Sequence, residues 1–327
     1  MLRLHEYQYH RPATVADAAA LLARSPGRAM LIAGGTDVMP NMKHGLFTPE
    51  HVIALRQIEE LHGIEETGGE LVIGAAQTLS SIANDRTVQR LFPALARAAG
   101  HIAGPQLRNM GTIGGNLCLD TRCTYYNQTY FWRSALGFCL KKDGEVCHVT
   151  KVGKKCVAAH SADTPPVLMT LGATADLVSA RGTRTVPVAD FFIADGTANT
   201  VREWDEIVTR VRIPLAAARL RGAYEKLRQR GSIDYPLLNL GAAVGFDGDT
   251  VNEIRLVVSA LGSRPRVVTG LDKVAVGRLL DDALIDEVAQ KAFQQCHPLE
   301  NIIVDPDWRR AMVPVYVRRA LKGIAAA

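Results

Sequence analysis

Ala29-Met30-Leu31-Ile32-Ala33, followed at once by Gly34-Gly35-Thr36-Asp37, is the stretch of sequence that indicates the fold class. Its five apolar residues form a short and uninterrupted run, as expected of a buried parallel strand. A helix rich in Ala and Leu is predicted before them, with Thr14 as its N-cap and its end near Ser25. A helix, a strand and a glycine turn in this order predict an α/β unit with the turn at the carboxyl end of the strand.

A second unit of the same kind is predicted from Glu70 onward. Leu71-Val72-Ile73 is a strand candidate, Thr78 can cap a following helix, and residues 92–99 are predicted as an Ala-rich helix. Residues 111–116, Gly-Thr-Ile-Gly-Gly-Asn, then form a second glycine turn. Glycine lets the backbone approach a phosphate closely, and exposed N–H groups bind its charge. Two such turns predict a pyrophosphate site, whereas either turn alone would more often be a plain connection.

Composition and motif spacing disfavour several classes of protein. Neither turn matches Gly-x-Gly-x-x-Gly or the P-loop, which argues against a Rossmann dehydrogenase and an NTPase. The net charge is +5, but the basic residues are scattered and aromatic residues make up only 6%, so no nucleic-acid partner is expected. No apolar run approaches the roughly 20 residues of a membrane helix. The stretch from Met1 to Glu6 lacks the features of a secretory signal, so a cytoplasmic protein is expected.

The cysteines are the most unusual feature of the composition. Five of the six lie between Cys118 and Cys156, and one dense cluster indicates a metal site rather than a set of disulfides. No Cys-x-x-Cys occurs, which argues against a zinc site. Tyr126 occupies the position at which a plant-type ferredoxin needs its third cysteine. A [4Fe–4S] cluster needs only four converging thiolates, which a long loop can supply at irregular spacing. Free cysteines in a core fit poorly, because the neighbouring residues are charged.

Changes of pattern along the chain predict its domains. Hydrophobic periodicity vanishes over residues 118–160, which predicts an insertion held by something other than a core. The remaining predicted elements are a helix capped by Asp163 or Thr164, a hairpin of 174–178 and 184–188, strands around Tyr224 and over 240–245 and 254–261, and helices over 283–295 and 308–325. We therefore expect one domain over residues 1–215, with subdomains of about 1–55 and 56–215, and a separate α+β domain over 216–327.

Three motifs resemble the FAD-binding subunits of the xanthine dehydrogenase and CO dehydrogenase class. They are Ile32-Ala33-Gly34-Gly35-Thr36-Asp37, Thr112-Ile113-Gly114-Gly115-Asn116-Leu117 and Ala223-Tyr224-Glu225-Lys226. The resemblance runs over nearly the whole chain and implies an α+β fold, with a two-part α/β FAD-binding domain of the PCMH/CO dehydrogenase flavoprotein type before the C-terminal domain. The FAD contacts that it implies are Leu31, Ile32, Ala33, Gly34, Gly35, Thr36, Asp37, Val38, Thr112, Ile113, Gly114, Gly115, Asn116, Asp163 and Lys226. Without it, Asp163 is equally well a helix N-cap and Lys226 a solvated strand lysine.

The cysteine-rich insertion resembles a narrower group within that class. Most of these subunits pass almost directly from the second glycine turn to the helix at Asp163, whereas this chain inserts about forty residues. The residues from Asn116 to Gln128 are similar to the insertion of the 4-hydroxybenzoyl-CoA reductase flavoprotein subunits, which holds a [4Fe–4S] cluster. Matching by position gives the ligand role to Cys123, Cys139, Cys147 and Cys156. Cys118 is then the spare, and its exchange with Cys123 stays an alternative.

The resemblance implies an electron-transfer subunit that binds no organic substrate itself. The chain would carry FAD and the cluster, beside a large subunit with a molybdenum cofactor and a small subunit with 2Fe–2S clusters, as a dimer of heterotrimers. An external one-electron carrier such as ferredoxin would supply the electrons for a reductive dehydroxylation of 4-hydroxybenzoyl-CoA or a similar aromatic substrate. The alternatives are a subunit of an oxidatively working hydroxylase, a free-standing FAD oxidase and a zinc-binding interaction module.

Overall fold

The computed structural model of the chain describes residues 2–151 and 153–327. Met1 of the N-terminal stretch and Val152 of the predicted insertion lie outside the described residues. The strands are β1 (Gln8–His10), β2 (Ala29–Ile32), β3 (His51–Ala54), β4 (Ile64–Thr67), β5 (Glu70–Gly74), β6 (Thr174–Ser179), β7 (Gly182–Pro187), β8 (Ile207–Pro214), β9 (Arg221–Leu227), β10 (Leu238–Asp247), β11 (Thr250–Ser259) and β12 (Arg266–Val267). The helices are α1 (Val15–Arg24), α2 (Val38–Lys43), α3 (Leu79–Asn84), α4 (Arg86–Leu91), α5 (Pro93–Gly100), α6 (Pro105–Arg108), α7 (Ile113–Leu117), α8 (Tyr130–Ala135), α9 (Thr164–Thr170), α10 (Asp272–Ala275), α11 (Asp282–Gln295) and α12 (Pro306–Ala325).

The strands of the described residues form three sheets. In the first sheet β3 lies between β1 and β2, and both pairs are parallel. The second sheet has the order β4-β5-β8-β6-β7, and its pairs are antiparallel. The third, β12-β11-β10-β9, is antiparallel as well. The chain thus combines a small parallel sheet with two antiparallel ones.

The antiparallel direction of β5 was not predicted, although a local signal for it exists. Gly68 and Gly69 connect β4 to β5 and have φ values of 59° and 80°. Two-residue hairpin turns need positive φ at both central residues, which glycine adopts without strain. The Gly-Gly dipeptide therefore makes β4 and β5 an antiparallel hairpin, and β5 pairs antiparallel with β8 as well.

The unit that opens the chain forms as predicted, with one difference in burial. Thr14 caps α1, because its side-chain oxygen accepts a hydrogen bond of 3.1 Å from the backbone N–H of Asp17. β2 is parallel, as expected, but all four of its residues are only partly buried. The reason is that Met30 and Leu31 lie along a large cleft, so the strand separates the core from that cleft.

The C-terminal part also has the predicted elements. Helices α11 and α12 cover the third sheet, and the core between them includes Leu240, Leu256, Val288 and Val317. The hairpin of β6 and β7 is confirmed. No helix among the described residues is long and apolar enough to cross a membrane.

Residues 118–160, which we call the cysteine-rich segment, contain little regular structure. Helix α8 is the helix that the structure describes there. The two ends of the segment meet, because Arg122 and Ala159 form a β-bridge. The C-terminal part holds both ends in place: the N–H of Thr124 donates to the carbonyl of Asn301 and the N–H of His160 to that of Gly262, each at 2.8 Å.

Candidate functional site

A cleft of about 620 Å³ lies where the two glycine turns meet. Twelve of the fifteen residues expected to contact FAD line it: Leu31, Ala33, Gly34, Gly35, Thr36, Asp37, Val38, Thr112, Gly114, Gly115, Asn116 and Asp163. Ile32, Ile113 and Lys226 are not among the lining residues. Ile113 is fully buried in the hydrophobic core, and Lys226 forms an ion pair with Asp163, which lines the cleft.

The first glycine turn supplies free backbone donors. Within the described residues, the N–H groups of Gly34, Gly35, Thr36 and Asp37 donate to no protein acceptor. Gly35 has φ +71°, which a larger residue would rarely adopt. Phosphate oxygens are suitable acceptors for a row of such N–H groups at a turn.

The second glycine turn has a different role, which corrects the expectation that both turns offer N–H groups. The N–H of Ile113 donates to Gln77 and that of Gly114 to Ala75, through their carbonyls at 3.1 and 2.9 Å. The N–H of Gly115 is bound to the hydroxyl of Thr112 at 3.1 Å. Since these donors are already used, the second turn forms a wall of the cleft rather than an anion site.

The two turns are also packed against each other. A Cβ atom added at Gly34 would lie 2.0 Å from the carbonyl oxygen of Met110 and 2.9 Å from the Cα of Gly111. Real Cβ atoms essentially never approach so closely, so only glycine allows this backbone-to-backbone contact. The contact fixes the first turn, with its free donors, beside the second.

Asp163 forms a buried ion pair instead of capping α9. Its carboxylate lies 2.9 Å from Nζ of Lys226 and accepts hydrogen bonds from Tyr224 and Asn239. Burial raises the pKa of Asp163, and the charge of Lys226 opposes that shift. The first N–H of α9 is bound by the side chain of Asn116 at 3.1 Å. Asn116 thereby ties the second glycine turn to α9, and Lys226 holds the orientation of Asp163 in the wall.

Two polar side chains that were not predicted fit a cofactor in this cleft. Ser161 and Asn199 both line it and are buried, with 5% and 9% of their surface exposed. The hydroxyl of Ser161 and the Nδ2 of Asn199 have no hydrogen-bond partner among the described residues. Buried polar atoms without a partner are costly, which indicates that a ligand binds them. Asn199 lies in the small polar run Gly196-Thr197-Ala198-Asn199-Thr200, whose composition was the available signal.

Asp37 links the cleft to the cysteine-rich segment. Its carboxylate lies 3.3 Å from the guanidinium of Arg122, which in turn stacks over the ring of Tyr235 at 4.0 Å. Burial raises the pKa of Asp37 to about 6, while the charge of Arg122 lowers it. A carboxylate in this position adds negative charge to the cleft only when it is ionised.

The four cysteines assigned by resemblance surround one small second cavity. Cys123, Cys139, Cys147 and Cys156 all line it, whereas Cys118 lines the large cleft. Among residues 2–151 and 153–327, no group of three or more His, Cys, Asp or Glu side chains is arranged to hold a single metal ion. A zinc ion needs its sulfurs at about 2.3 Å. A four-iron cube carries its iron atoms at separate corners, so its thiolates stand farther apart.

The chemistry of these sulfurs also fits a cluster. Burial raises the pKa of Cys147, but the polar groups of Thr150, Val149 and Val157 around the thiol lower it, and the net shift is downward. The N–H of Ala158 lies 3.4 Å from the sulfur of Cys156. Burial raises the pKa of Cys123 to about 11, so this thiol stays protonated unless a cation such as a metal lies beside it.

These features indicate a cofactor-binding protein. A cleft of several hundred Å³, with a row of free N–H groups and unpaired buried polar atoms, fits a large phosphate-bearing cofactor. The model of the FAD-binding domain in molybdopterin dehydrogenases matches residues 5–216, and that of the CO dehydrogenase flavoprotein C-terminal domain matches residues 222–324. The chain belongs to this family, the FAD-binding medium subunits of the xanthine dehydrogenase and CO dehydrogenase type.

Individual relatives agree with this assignment over the full chain. The carbon monoxide dehydrogenase medium chain of Hydrogenophaga pseudoflava is 30% identical over 96% of this chain and 96% of its own length. The xanthine dehydrogenase FAD-binding subunit of Escherichia coli O157:H7 is 27% identical over 98% and 96%. Among solved structures, carbon monoxide dehydrogenase from H. pseudoflava superposes with a TM-score of 0.82 at 29% identity, covering 99% of both chains. Quinoline 2-oxidoreductase from Pseudomonas putida 86 gives 0.81 at 25% identity, covering 99% of this chain and 98% of that one.

Proposed function

We propose that this chain is an electron-transfer subunit that carries FAD in the large cleft and one [4Fe–4S] cluster on Cys123, Cys139, Cys147 and Cys156. The relatives do not support a cluster in this subunit, and related subunits carry none, so the cluster rests on the cysteines of this chain. The observation that carries the proposal is the convergence of these four cysteines on one cavity, with Cys118 excluded from it. A flavin exchanges electrons singly or in pairs, and so connects one-electron clusters to two-electron chemistry.

The residues of this chain have separate tasks in the proposal. The free N–H groups of the first turn would bind the FAD pyrophosphate, and Ser161 and Asn199 would bind polar atoms deeper in the cleft. The Lys226–Asp163 pair would keep the wall rigid.

The partners follow from the family. We place a large subunit with a molybdenum cofactor and a small 2Fe–2S subunit beside this chain, as a cytoplasmic dimer of heterotrimers. The relatives are themselves named as medium chains or FAD-binding subunits. The substrate that we favour for the complex is 4-hydroxybenzoyl-CoA or a similar aromatic thioester, reduced by dehydroxylation. A hydroxylase working in the oxidative direction is the second candidate.

An external one-electron carrier would dock on the cysteine-rich segment. Beside the four cysteines, Phe131 exposes 82% of its surface, Tyr130 60% and Val146 53%. Exposed lysines, Lys154 and Lys155, precede Cys156. Among the exposed residues of the segment, Lys151, Lys154 and Lys155 are basic, whereas Asp143 and Glu145 are acidic. The small positive excess fits an acidic carrier of the ferredoxin kind.

Single Cys→Ser variants test the cluster. In the purified complex, serine at any of the four positions should remove about four irons per chain, by the stoichiometry of a cubane, and leave FAD in place. Cys118→Ser is the matched control, because its side chain faces the cleft, and it should keep the iron. Iron lost from Cys118→Ser but kept in Cys123→Ser would show that the ligand set is wrong. Zinc in place of iron would favour the interaction module.

Two further measurements test the cofactor and the assembly. Heat release followed by chromatography should yield FAD, and FMN would contradict a cleft built for a pyrophosphate. Affinity purification of the tagged chain should recover two other subunits at equal stoichiometry. A single chain that is catalytically competent on its own would refute the assignment of partners.

A further inference from the structure

The cleft and the four-cysteine cavity share one wall, and a buried lysine lies inside it. We propose that Lys141, paired with Asp120, raises the reduction potential of the cluster relative to that of the flavin. This inference rests on the proposed function, since it requires a cluster on the four cysteines. Lys141 would act through its fixed charge, without touching a substrate.

The ammonium group of Lys141 is held by three partners. Its side chain is 5% exposed, and Nζ lies 2.6 Å from the carboxylate of Asp120 and 2.8 Å from the hydroxyl of Thr121. It also donates to the carbonyl of Gly196. Three acceptors leave the group no freedom to turn away, so its charge has a fixed position.

The positive end of the pair faces the cysteines. Lys141 lines their cavity and lies 4.7 Å from the ring centre of Tyr126, which lines it too. Gly196, whose carbonyl Lys141 binds, donates its own N–H to the carbonyl of Cys156 at 2.8 Å. A Cβ atom at Gly196 would lie only 2.9 Å from the sulfur of Cys156. A single residue, Gly196, therefore connects Lys141 to Cys156, a proposed ligand.

The negative end of the pair faces the large cleft, in which the proposed FAD would bind. Asp120 lines the large cleft, whereas Lys141 does not. Thr197, next in the chain after Gly196, lines the cleft as well. The second carboxylate oxygen of Asp120 accepts a hydrogen bond of 2.9 Å from the hydroxyl of Tyr126, which lines the four-cysteine cavity. The Lys141–Asp120 pair therefore lies in the wall between the two sites, with Lys141 on the cysteine side and Asp120 on the side of the cleft.

The direction of the effect follows from electrostatics. Reduction of the cluster by one electron adds one negative charge, and no bond is made or broken. A nearby cation stabilises the added charge and raises the potential, and an anion beside the flavin lowers that of the flavin. Solvent screens such charges weakly at a buried position. The oriented pair thus separates the two potentials.

Three variants of the intact complex test the inference: Lys141→Met, Lys141→Arg and Asp120→Asn. Each is first assayed for iron and FAD. The midpoint potentials of the cluster and the flavin are then measured by dithionite titration, followed by electron paramagnetic resonance. Lys141→Met should lower the cluster potential more than the flavin potential. Asp120→Asn should raise the flavin potential more than the cluster potential, and Lys141→Arg should match the parent.

A purely structural role of Lys141 would give a different pattern. It would shift the cluster and flavin potentials by equal amounts within each variant, or shift them in the same direction in Lys141→Met as in Asp120→Asn, or leave them unchanged at full iron content. Each of these results overturns the inference. If Lys141→Met loses its iron, Asp120→Asn and Lys141→Arg decide by the same criteria. A parent complex without iron would instead refute the proposed function, and the inference with it.

Discussion

The FAD cleft and the four-cysteine cavity are neighbours, but different interactions hold their residues in place. The cleft is lined by strands, helices and turns that are backed by a large hydrophobic core, including Leu71, Leu95 and Val211. Among the described residues, the buried apolar cluster at the cysteines consists of Leu46, Tyr126 and Cys139, with Phe47 and Cys123 packed against it. A cleft with a core behind it keeps its shape without a ligand, whereas a loop without a core needs its metal to order it.

Removal of the metal should give the largest difference between the two regions. Structural metals contribute on the order of 10 kcal/mol to the folding of small metal-dependent units, so iron chelation should leave the cysteine-rich segment open. We expect rapid proteolysis between residues 118 and 160, located by mass spectrometry, while the rest of the chain stays protected. Equal protection with and without iron would show that the segment folds by its own contacts.

Gly34→Ala should damage the cleft and spare the cluster. The new methyl group would meet the carbonyl oxygen of Met110 at 2.0 Å, and relief requires separation of the two turns at a cost of at least about 3 kcal/mol. FAD content should fall, with iron unchanged. Gly323→Ala is the control, because no atom lies within 4 Å of its added Cβ, and it should be neutral or stabilise α12 by up to about 1 kcal/mol. FAD retained in Gly34→Ala would contradict the close-packed turn.

The contrast between the two regions also explains what the sequence could predict. Local signals placed α1, with its Thr14 cap, and the hairpin of β6 and β7. The resemblance selected four cysteines that the structure brings to one cavity. Which turn keeps its N–H groups free was not predictable, because the donors of Ile113 and Gly114 are bound by Gln77 and Ala75, far from them in sequence.

Long-range contacts likewise escaped prediction at the cysteines. The backbone around Cys123 and Cys156 is held by Asn301, which is 144 residues from Val157. No periodicity or motif marks Asn301 in the sequence. Such a residue is found only when the fold is known.

Asn301→Ala should therefore loosen the cluster without affecting the flavin. Its Nδ2 donates to the carbonyl of Val157 at 2.7 Å and its Oδ1 accepts from the buried Arg309. Loss of the side chain leaves buried groups unpaired, at a cost of about 2–3 kcal/mol, and iron should dissociate faster under a competing chelator. Asn84→Ala is matched, since it deletes a hydrogen bond of the same 2.7 Å at an exposed site. Equal iron loss in both variants would show that Asn301 does not stabilise the cluster.

The smallest expected effect concerns Asp37, which belongs to both regions through Arg122. Burial raises its pKa from 3.8 to about 6. The protonated form is therefore favoured by folding, and its stabilising contribution is complete below pH 3.8 and is lost as the pH rises through about 6. Asp37→Asn lacks this loss, so its melting temperature relative to the parent should increase between about pH 4 and pH 7.5, by the equivalent of about 1–2 kcal/mol. Thermal unfolding of the FAD-free chain at both pH values measures the difference. A difference that is independent of pH would mean that Asp37 stays ionised in the fold, and that Arg122 outweighs its burial.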